Sequence, residues 1–529
     1  MKRSTPLMQH PKPKPWKHSL LAVTALLIGI VPVLSACTGS ADEKGTPSGG
    51  TSGEAKPQTF TMLYSDNPAY PFNKDWRVLK EMTARSGVNL DIQAVPESDY
   101  QSKVRIVLSS DKIPDMVTTV RQATIMEFAP NGTLLPISDY MDKLPNLKKK
   151  IEEYKIQEEL DNWKPKDGKL YVLPFMNEAA LYNRAPLIRS DLLKKYGLEA
   201  PKTADELYNV LKKLKEMNPG SYPLANTNAE SLLSIFGAAW GIDSSNKGFS
   251  YNAGTRKFEY DYTSDNYKKY VTFLNRLVKE GLADPEIFTS SLDQWKQKLA
   301  SGKSLFSFYW ISELPQINAD GKKNVSPDFE LTALPPIAGP GGTKAYSSNR
   351  IYHGTVIPAS AAKKPYFDAL LKYADWLYSD EANTLMTWGF KGDMYEEADG
   401  KKDFTDKVKN APSINKALWE LGAANNNYTL LYPYQWFLKV LNTKEVGVFT
   451  DEAIKNGWFP PVTKIPKLTP EKKEEENLAI TGVNDYFAKM QEQFVYGKVS
   501  IDAEWDNYVK EMNSKGVTKL LGIYNDSLK

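Results

Sequence analysis

Few residues of this 529-residue chain could do covalent chemistry. Cysteine occurs once, as the last residue of Leu34-Ser35-Ala36-Cys37. If cleavage makes Cys37 the first residue, its thiol is a nucleophile that can take a diacylglyceryl group as a thioether. His353 is the only histidine after Cys37, because His10 and His18 lie ahead of it. A Ser-His-Asp triad would have to be built on that one residue, and histidine-rich zinc sites are excluded. No G-x-S-x-G elbow occurs. Gly302-Lys303-Ser304 imitates the end of a P-loop, but Gln297 stands where its first glycine belongs. A carboxylate pair for glycoside hydrolysis remains open among so many acids, and nothing in the sequence selects one. These residues predict no enzyme and no cofactor.

The surroundings of Cys37 explain it. Lys2, Arg3, Lys12, Lys14 and Lys17 precede an apolar run from Leu20 to Val33, and no acidic residue comes before Asp42. A basic head, an apolar stretch and small residues before a cleavage point make an export signal over residues 1–36. The pattern resembles a bacterial lipobox, and it predicts a lipid on Cys37 that holds the chain outside the cytoplasmic membrane. An uncleaved apolar anchor is the other reading of the same run. Residues 37–58 are rich in Gly, Ser, Thr and Pro and poor in large apolar side chains, which predicts a flexible tether.

Composition narrows the class further. The formal charge of +3 includes five basic residues ahead of Cys37, so the remainder stands near −2. No basic block supplies the electrostatic footprint of a nucleic-acid binder. With Cys37 lipidated no disulfide can form, so a conventional core must carry stability. The chain has 12 Trp and 29 Tyr, enough for sugar-stacking platforms beyond the needs of packing.

From Gln58 the pattern becomes regular. Thr59–Tyr64 and Val88–Val95 read as strands, Trp76–Ser86 and Tyr100–Ser109 as helices, and Asp115–Thr119 as a third strand. Strand, helix, strand, helix, strand at this spacing predicts a parallel α/β lobe. Ligands of such sheets bind beyond the carboxyl ends of the strands, here Tyr64–Asn67, Pro96–Asp99 and Val120–Gln122.

These segments belong to a longer series of markers. Ile113-Pro114-Asp115-Met116, then Asp167-Gly168-Lys169-Leu170-Tyr171-Val172-Leu173-Pro174, Ile188-Arg189-Ser190-Asp191 and Pro201-Lys202-Thr203-Ala204-Asp205-Glu206 follow in order. Leu334-Pro335-Pro336-Ile337 and Trp505-Asp506-Asn507-Tyr508 complete it. From about Thr59 onward the chain resembles the extracellular solute-binding proteins of family 1, which serve ATP-driven carbohydrate importers, and most narrowly the LipO-like lipoproteins. The resemblance implies a two-lobe α/β fold of the type II periplasmic-binding kind, hinged around a ligand cleft. It implies a first lobe of about 59–178 and 343–395, and a helix-rich second lobe of about 179–340 and 396–529. The implied partners are an oligosaccharide, permease subunits and the membrane, and the implied state is a monomer. A membrane-anchored polysaccharide-degrading enzyme and a peptide or sensory receptor of the same fold are the alternatives.

Two points bear on the site. Some large relatives carry a calcium loop after the helix capped by Thr203, but Glu216–Pro223 lacks alternating oxygen ligands, so no metal is expected there. For the ligand, Trp240 lies in Gly237-Ala238-Ala239-Trp240-Gly241, flanked by residues too small to cover it. Trp310 ends an apolar strand before Ile311-Ser312-Glu313, a turn that faces the cleft in the family. Tyr64, Asp66, Glu97 and Tyr182 are the further candidates, as phenols and carboxylates able to bond paired hydroxyls.

Overall fold

The computed structural model describes residues 57–346, 349–411, 413–441 and 444–528. The export signal, Cys37 and nearly all of the tether lie outside the described residues. The chain begins with β1 (Gln58–Asp66), α1 (Arg77–Ser86), β2 (Val88–Pro96), α2 (Glu97–Leu108), β3 (Met116–Val120) and α3 (Gln122–Phe128). β1 pairs in parallel with β2 and β3, so it is enclosed on both edges. Phe60, Met62, Leu63 and Tyr64 are accordingly all buried, the near-continuous apolar run of an interior parallel strand. Gly87 ends α1 at φ 69°, where the left-handed turn favours glycine.

Two short strands follow, β4 (Leu173–Pro174) and β5 (Met176–Asn177), and then the second lobe's β6 (Arg184–Arg189). A hairpin of β7 (Phe249–Asn252) and β8 (Lys257–Tyr260) precedes β9 (Phe306–Trp310) and β10 (Leu331–Ala333). β6 lies between β10 and β9 in an antiparallel sheet, and helices cover it. The chain then returns with β11 (Gly354–Val356), which inserts between β3 and β4 and completes a five-stranded sheet of order β2-β1-β3-β11-β4.

Several sequence markers prove to be structural clasps. Asp115 is buried, and its carboxylate accepts from the Thr61 amide at 2.9 Å and hydroxyl at 2.8 Å and from the Tyr366 hydroxyl at 2.9 Å. Arg189, 3% exposed, forks onto Asp191 at 2.7 and 2.6 Å and stacks on Phe329. Thr203 caps the helix Ala204–Met217 by accepting from the Glu206 amide at 3.2 Å. The Glu206 carboxylate reaches back one residue further than a capping box requires, to the Lys202 amide at 2.7 Å.

The lobe boundary differs from expectation after Tyr395. Phe404, Leu418, Tyr428, Leu430, Leu431 and Trp436 are buried in the first lobe's core, and Leu431 pairs with Met176 of β5. Residues up to Val440 therefore belong with the first lobe, and the second resumes at Val446. The chain passes between lobes after Asn177, after Tyr346 and after Val440.

One side chain organises these passages. Arg350 donates to the Tyr154 carbonyl at 2.6 Å, the Lys155 carbonyl at 3.0 Å and the Glu159 carboxylate at 2.6 Å. Beside it, Glu178 accepts from the Tyr434 amide at 2.7 Å, and the Tyr434 hydroxyl donates to Asp451 at 2.9 Å. A proline-bearing segment also bridges the lobes: Asn162 binds the Thr463 carbonyl and Ile465 amide, while the Thr463 hydroxyl donates to Asp243 at 2.7 Å. Replacing Arg350 by Met should cost about 2–4 kcal/mol, because it strands a largely buried carboxylate. The urea midpoint should fall accordingly, and an unchanged midpoint would show that the passages are held elsewhere.

Candidate functional site

At the carboxyl ends of β1 and β3 a cavity of about 340 Å³ opens in the first lobe. Its floor is made by the strands themselves. Gly354 pairs with Val120, which sets the neighbouring His353 and Arg121 side by side at the rim of the sheet. Only glycine fits at 354, since a Cβ there would lie 2.5 Å from the Leu173 carbonyl oxygen and 2.4 Å from the Val172 side chain. Thr119, the residue before Val120, has φ 48°. A β-branched residue in the left-handed region carries backbone strain of roughly 1–3 kcal/mol, a cost concentrated at ligand sites.

One wall comes from the segment after Ser413. Trp419 stacks on Tyr70 with ring centres 3.6 Å apart, and its indole N–H donates to the Ala424 carbonyl at 3.3 Å. Asn427 is clamped into the sheet, accepting from the Ser65 amide at 2.8 Å and the Thr118 hydroxyl at 2.7 Å. Asn425 donates to the Tyr64 hydroxyl at 2.6 Å. Burial, more than any neighbour, pushes the Tyr64 hydroxyl well above the usual phenol range, so it stays protonated. On the other side Tyr352 leans on Phe175 at 4.4 Å while remaining 45% exposed, an aromatic face open to the cavity.

The polar complement of this cavity is incomplete in itself. Among the described residues, the Gln101 Oε1, the Thr119 Oγ1 and both ring nitrogens of His353 are buried without a hydrogen-bond partner. His353 is 6% exposed, packed between Phe175 at 4.5 Å and Tyr352 at 4.7 Å. Buried polar atoms are normally paired, so a set of unpaired ones lining a cavity marks where a ligand or water completes them. The charged residues of the lining are Arg121 and Glu97, and Glu97 accepts from the Asn67 amide group at 2.8 Å. Aromatic faces around a mostly neutral, amide-rich floor suit a polyhydroxylated ligand with apolar C–H faces.

Tyr64 and Glu97 line this cavity. Asp66 stands beside it and spends its carboxylate on the Phe72 amide at 2.7 Å. Trp310 lies on the second lobe, half-buried, with the Arg184 guanidinium 4.0 Å from its ring centre and 4.5 Å from that of Tyr346.

Two expectations are corrected. Trp240 is 6% exposed and packs edge-on to Phe236 and against Phe273 at 5.3 Å in the second lobe's core. Its small neighbours serve close backbone approach, not exposure. The Gly341 amide donates to the Ala239 carbonyl at 2.7 Å, and a Cβ on Gly341 would sit 2.4 Å from the Gly241 nitrogen. Tyr182 is 1% exposed, and its hydroxyl donates to the Leu334 carbonyl at 2.9 Å. Sequence reasoning missed Tyr70, Tyr352, Trp419 and Asn425–Asn427. The run of three asparagines, Asn425–Asn427, was the available signal in the sequence. In the Glu216–Pro223 loop, the Lys215 ammonium donates to the Ser221 carbonyl at 2.5 Å and Lys213 pairs with Glu216.

His353 makes stability depend on pH. Burial, with Arg121 adding to it, lowers its pKa from 6.5 to about 3. Below pH 6.5 the unfolded chain takes up a proton that the native state refuses, so this contribution is complete above pH 6.5 and is lost as pH falls toward 3. Asp261, raised to about 6 by burial, acts in the opposite sense over pH 6 to 4. The comparison therefore needs a His353→Asn variant. From pH 7 to 5 the wild-type chain should lose about 2 kcal/mol more than the variant, and parallel pH profiles in chemical denaturation would contradict it.

The geometry sits within a known group of proteins. The bacterial extracellular solute-binding protein family matches residues 70–384. The fructooligosaccharide ABC transporter substrate-binding protein FusA of Streptococcus pneumoniae is 27% identical over 535 aligned positions, covering 94% of this chain and 96% of that one. Lipoprotein LipO of Bacillus subtilis is 26% identical over 64% of this chain and 67% of its own length. A solute-binding protein from Bifidobacterium longum infantis, described as HMO-binding and ABC-transporter-associated, superposes with a TM-score of 0.72 at 21% identity, covering 89% of this chain and 99% of that one. That superposition establishes the two-lobe fold. With well over half of its length matched by the family, this chain belongs to the bacterial extracellular solute-binding proteins.

Proposed function

We propose that this protein is the substrate-binding component of an ABC importer, tethered outside the cytoplasmic membrane by a lipid on Cys37. It captures an oligosaccharide between its lobes and delivers it to the permease as a monomer, without covalent chemistry. The observation that carries this reading is the first-lobe cavity, where the Tyr70–Trp419 and Phe175–Tyr352 pairs flank polar atoms that lack partners. FusA, which aligns along nearly the whole chain, is by its name a fructooligosaccharide-binding protein, which supports a sugar ligand here. Hinge closure about the three passages would bring the second lobe onto the bound sugar. Trp310, with Arg184 across its face, is assigned to that opposing wall. Tyr64 and Glu97 stay in the site, and Trp240, Tyr182 and Asp66 are left out of it. No calcium is assigned to Glu216–Pro223, since the Lys215 ammonium occupies the Ser221 carbonyl.

Among the described residues no helix is long and apolar enough to cross a membrane, and the lipobox-like Leu34-Ser35-Ala36-Cys37 supports a lipid on Cys37 as the tether. Cys37→Ala should leave the precursor uncleaved or release the protein to the medium. Membrane-bound wild-type protein carrying an intact, unmodified Cys37 by mass spectrometry would remove the anchor. For the site, Trp419→Ala and Tyr352→Ala should each cost about 1–3 kcal/mol of binding, the worth of a buried aromatic face. Kd should rise roughly ten- to a hundredfold in titration calorimetry. A glycan panel that gives no thermal shift while a peptide library does would replace the sugar by a peptide. Release of reducing sugar from the panel would make the protein an enzyme.

A further inference from the structure

From the arginines of the first lobe we infer that this cavity reads a carboxylate on its sugar ligand, through Arg121. The inference rests on the oligosaccharide reading of the same site. Every other described arginine of that lobe has a carboxylate partner: Arg77 with Asp393, Arg85 with Glu81, Arg105 with Glu127, and Arg350 with Glu159. Arg121 has none among the described residues, though it lines a cavity that holds a carboxylate. Glu97 is engaged by Asn67 instead. An unpaired guanidinium presents two parallel N–H donors, the geometry that matches a carboxylate in bidentate fashion.

The groups next to Arg121 fit the same anion. His353 is set beside it by the Gly354–Val120 pairing, and the imidazole has both nitrogens free. A neutral imidazole keeps one N–H to donate. Thr119, two residues before Arg121, has a buried hydroxyl without a partner and a backbone held at φ 48°. A ring carboxylate seated on Arg121 has oxygen lone pairs left for these two donors. A remaining hydroxyl of the sugar meets the Gln101 Oε1, and the ring faces meet Tyr352 and Trp419. The ligand class is therefore a uronate-containing oligosaccharide.

Calorimetric titration of the full chain tests this with two sets of oligomers of matched length, uronate (galacturonate, mannuronate, guluronate) and neutral (galactan, fructan, glucan). Arg121→Gln and Arg121→Lys are the variants, and both should melt with the wild type because the side chain is exposed and unpaired. Uronate oligomers should bind, with Kd raised tenfold or more in Arg121→Gln and less in Arg121→Lys, whose ammonium lacks the fork. Uronate affinity should also weaken with added salt. Binding of neutral oligomers alone, or equal weakening of both sets in Arg121→Gln, overturns the anion reading while the oligosaccharide reading stands. Uronate binding that ignores both variants overturns it as well. If neither set binds, the oligosaccharide reading has failed, and this inference with it.

Discussion

The pairing of β11 with β3 is the contact on which the rest depends. It joins residues more than two hundred positions apart and closes the first lobe only after the chain has built most of the second. Loop closure of that length carries an entropic cost, and short strands return little for it in hydrogen bonds. The return comes from what the pairing organises. It sets Gly354 against β4 with no room for a side chain, lays His353 beside Arg121, and delivers Arg350 to its carbonyls and carboxylate at the passage between lobes. Site and hinge are thus fixed by one insertion, four residues apart along the chain.

The same arrangement explains why the cavity is polar yet unsatisfied. A sheet's carboxyl edge exposes strand ends whose side chains cannot all pair with each other. Thr118 and Ser65 are satisfied by Asn427, one layer down. The next layer, Gln101, Thr119 and His353, faces the cavity and is left for a ligand or water. Aromatic residues supply the enclosure, so these groups are desolvated in advance and a hydroxyl that meets them forms a stronger bond than it would in water. In the proposed function, two lobes closing on such a surface convert modest individual contacts into capture.

Much of the fold was legible in the sequence because its period was. Strands and helices alternate over residues 59–119, with short apolar runs for β1 and β3 and helical spacing for α1 and α2, so pattern alone places these elements. The segment 396–440 did not, because its attachment to the first lobe is made by a two-residue strand, Leu431–Tyr432, and by single side chains such as Tyr428 and Trp436. No periodicity announces such contacts. The site failed in an instructive way at Trp240. Small neighbours suggest exposure in the sequence, whereas in the fold they let Gly339 and Gly341 press backbone against backbone beside a buried indole. Tyr64 and Glu97 were reachable because strand ends can be placed from sequence. Trp419 and Tyr352 were not, because they arrive from segments whose lobe was unknown or whose strand is three residues long.

In the proposed function, ligand binds on the carboxyl edge of the first lobe's sheet and closure then buries it. Hydrogen–deuterium exchange of the full chain, with and without an oligosaccharide that shifts its melting temperature, addresses this most directly. Slowed exchange is expected at 64–70, 97–101, 119–122, 352–354 and 415–427, together with the passages around 178–182 and 350. Protection confined to the second lobe, or binding that leaves these segments unchanged, would contradict the account.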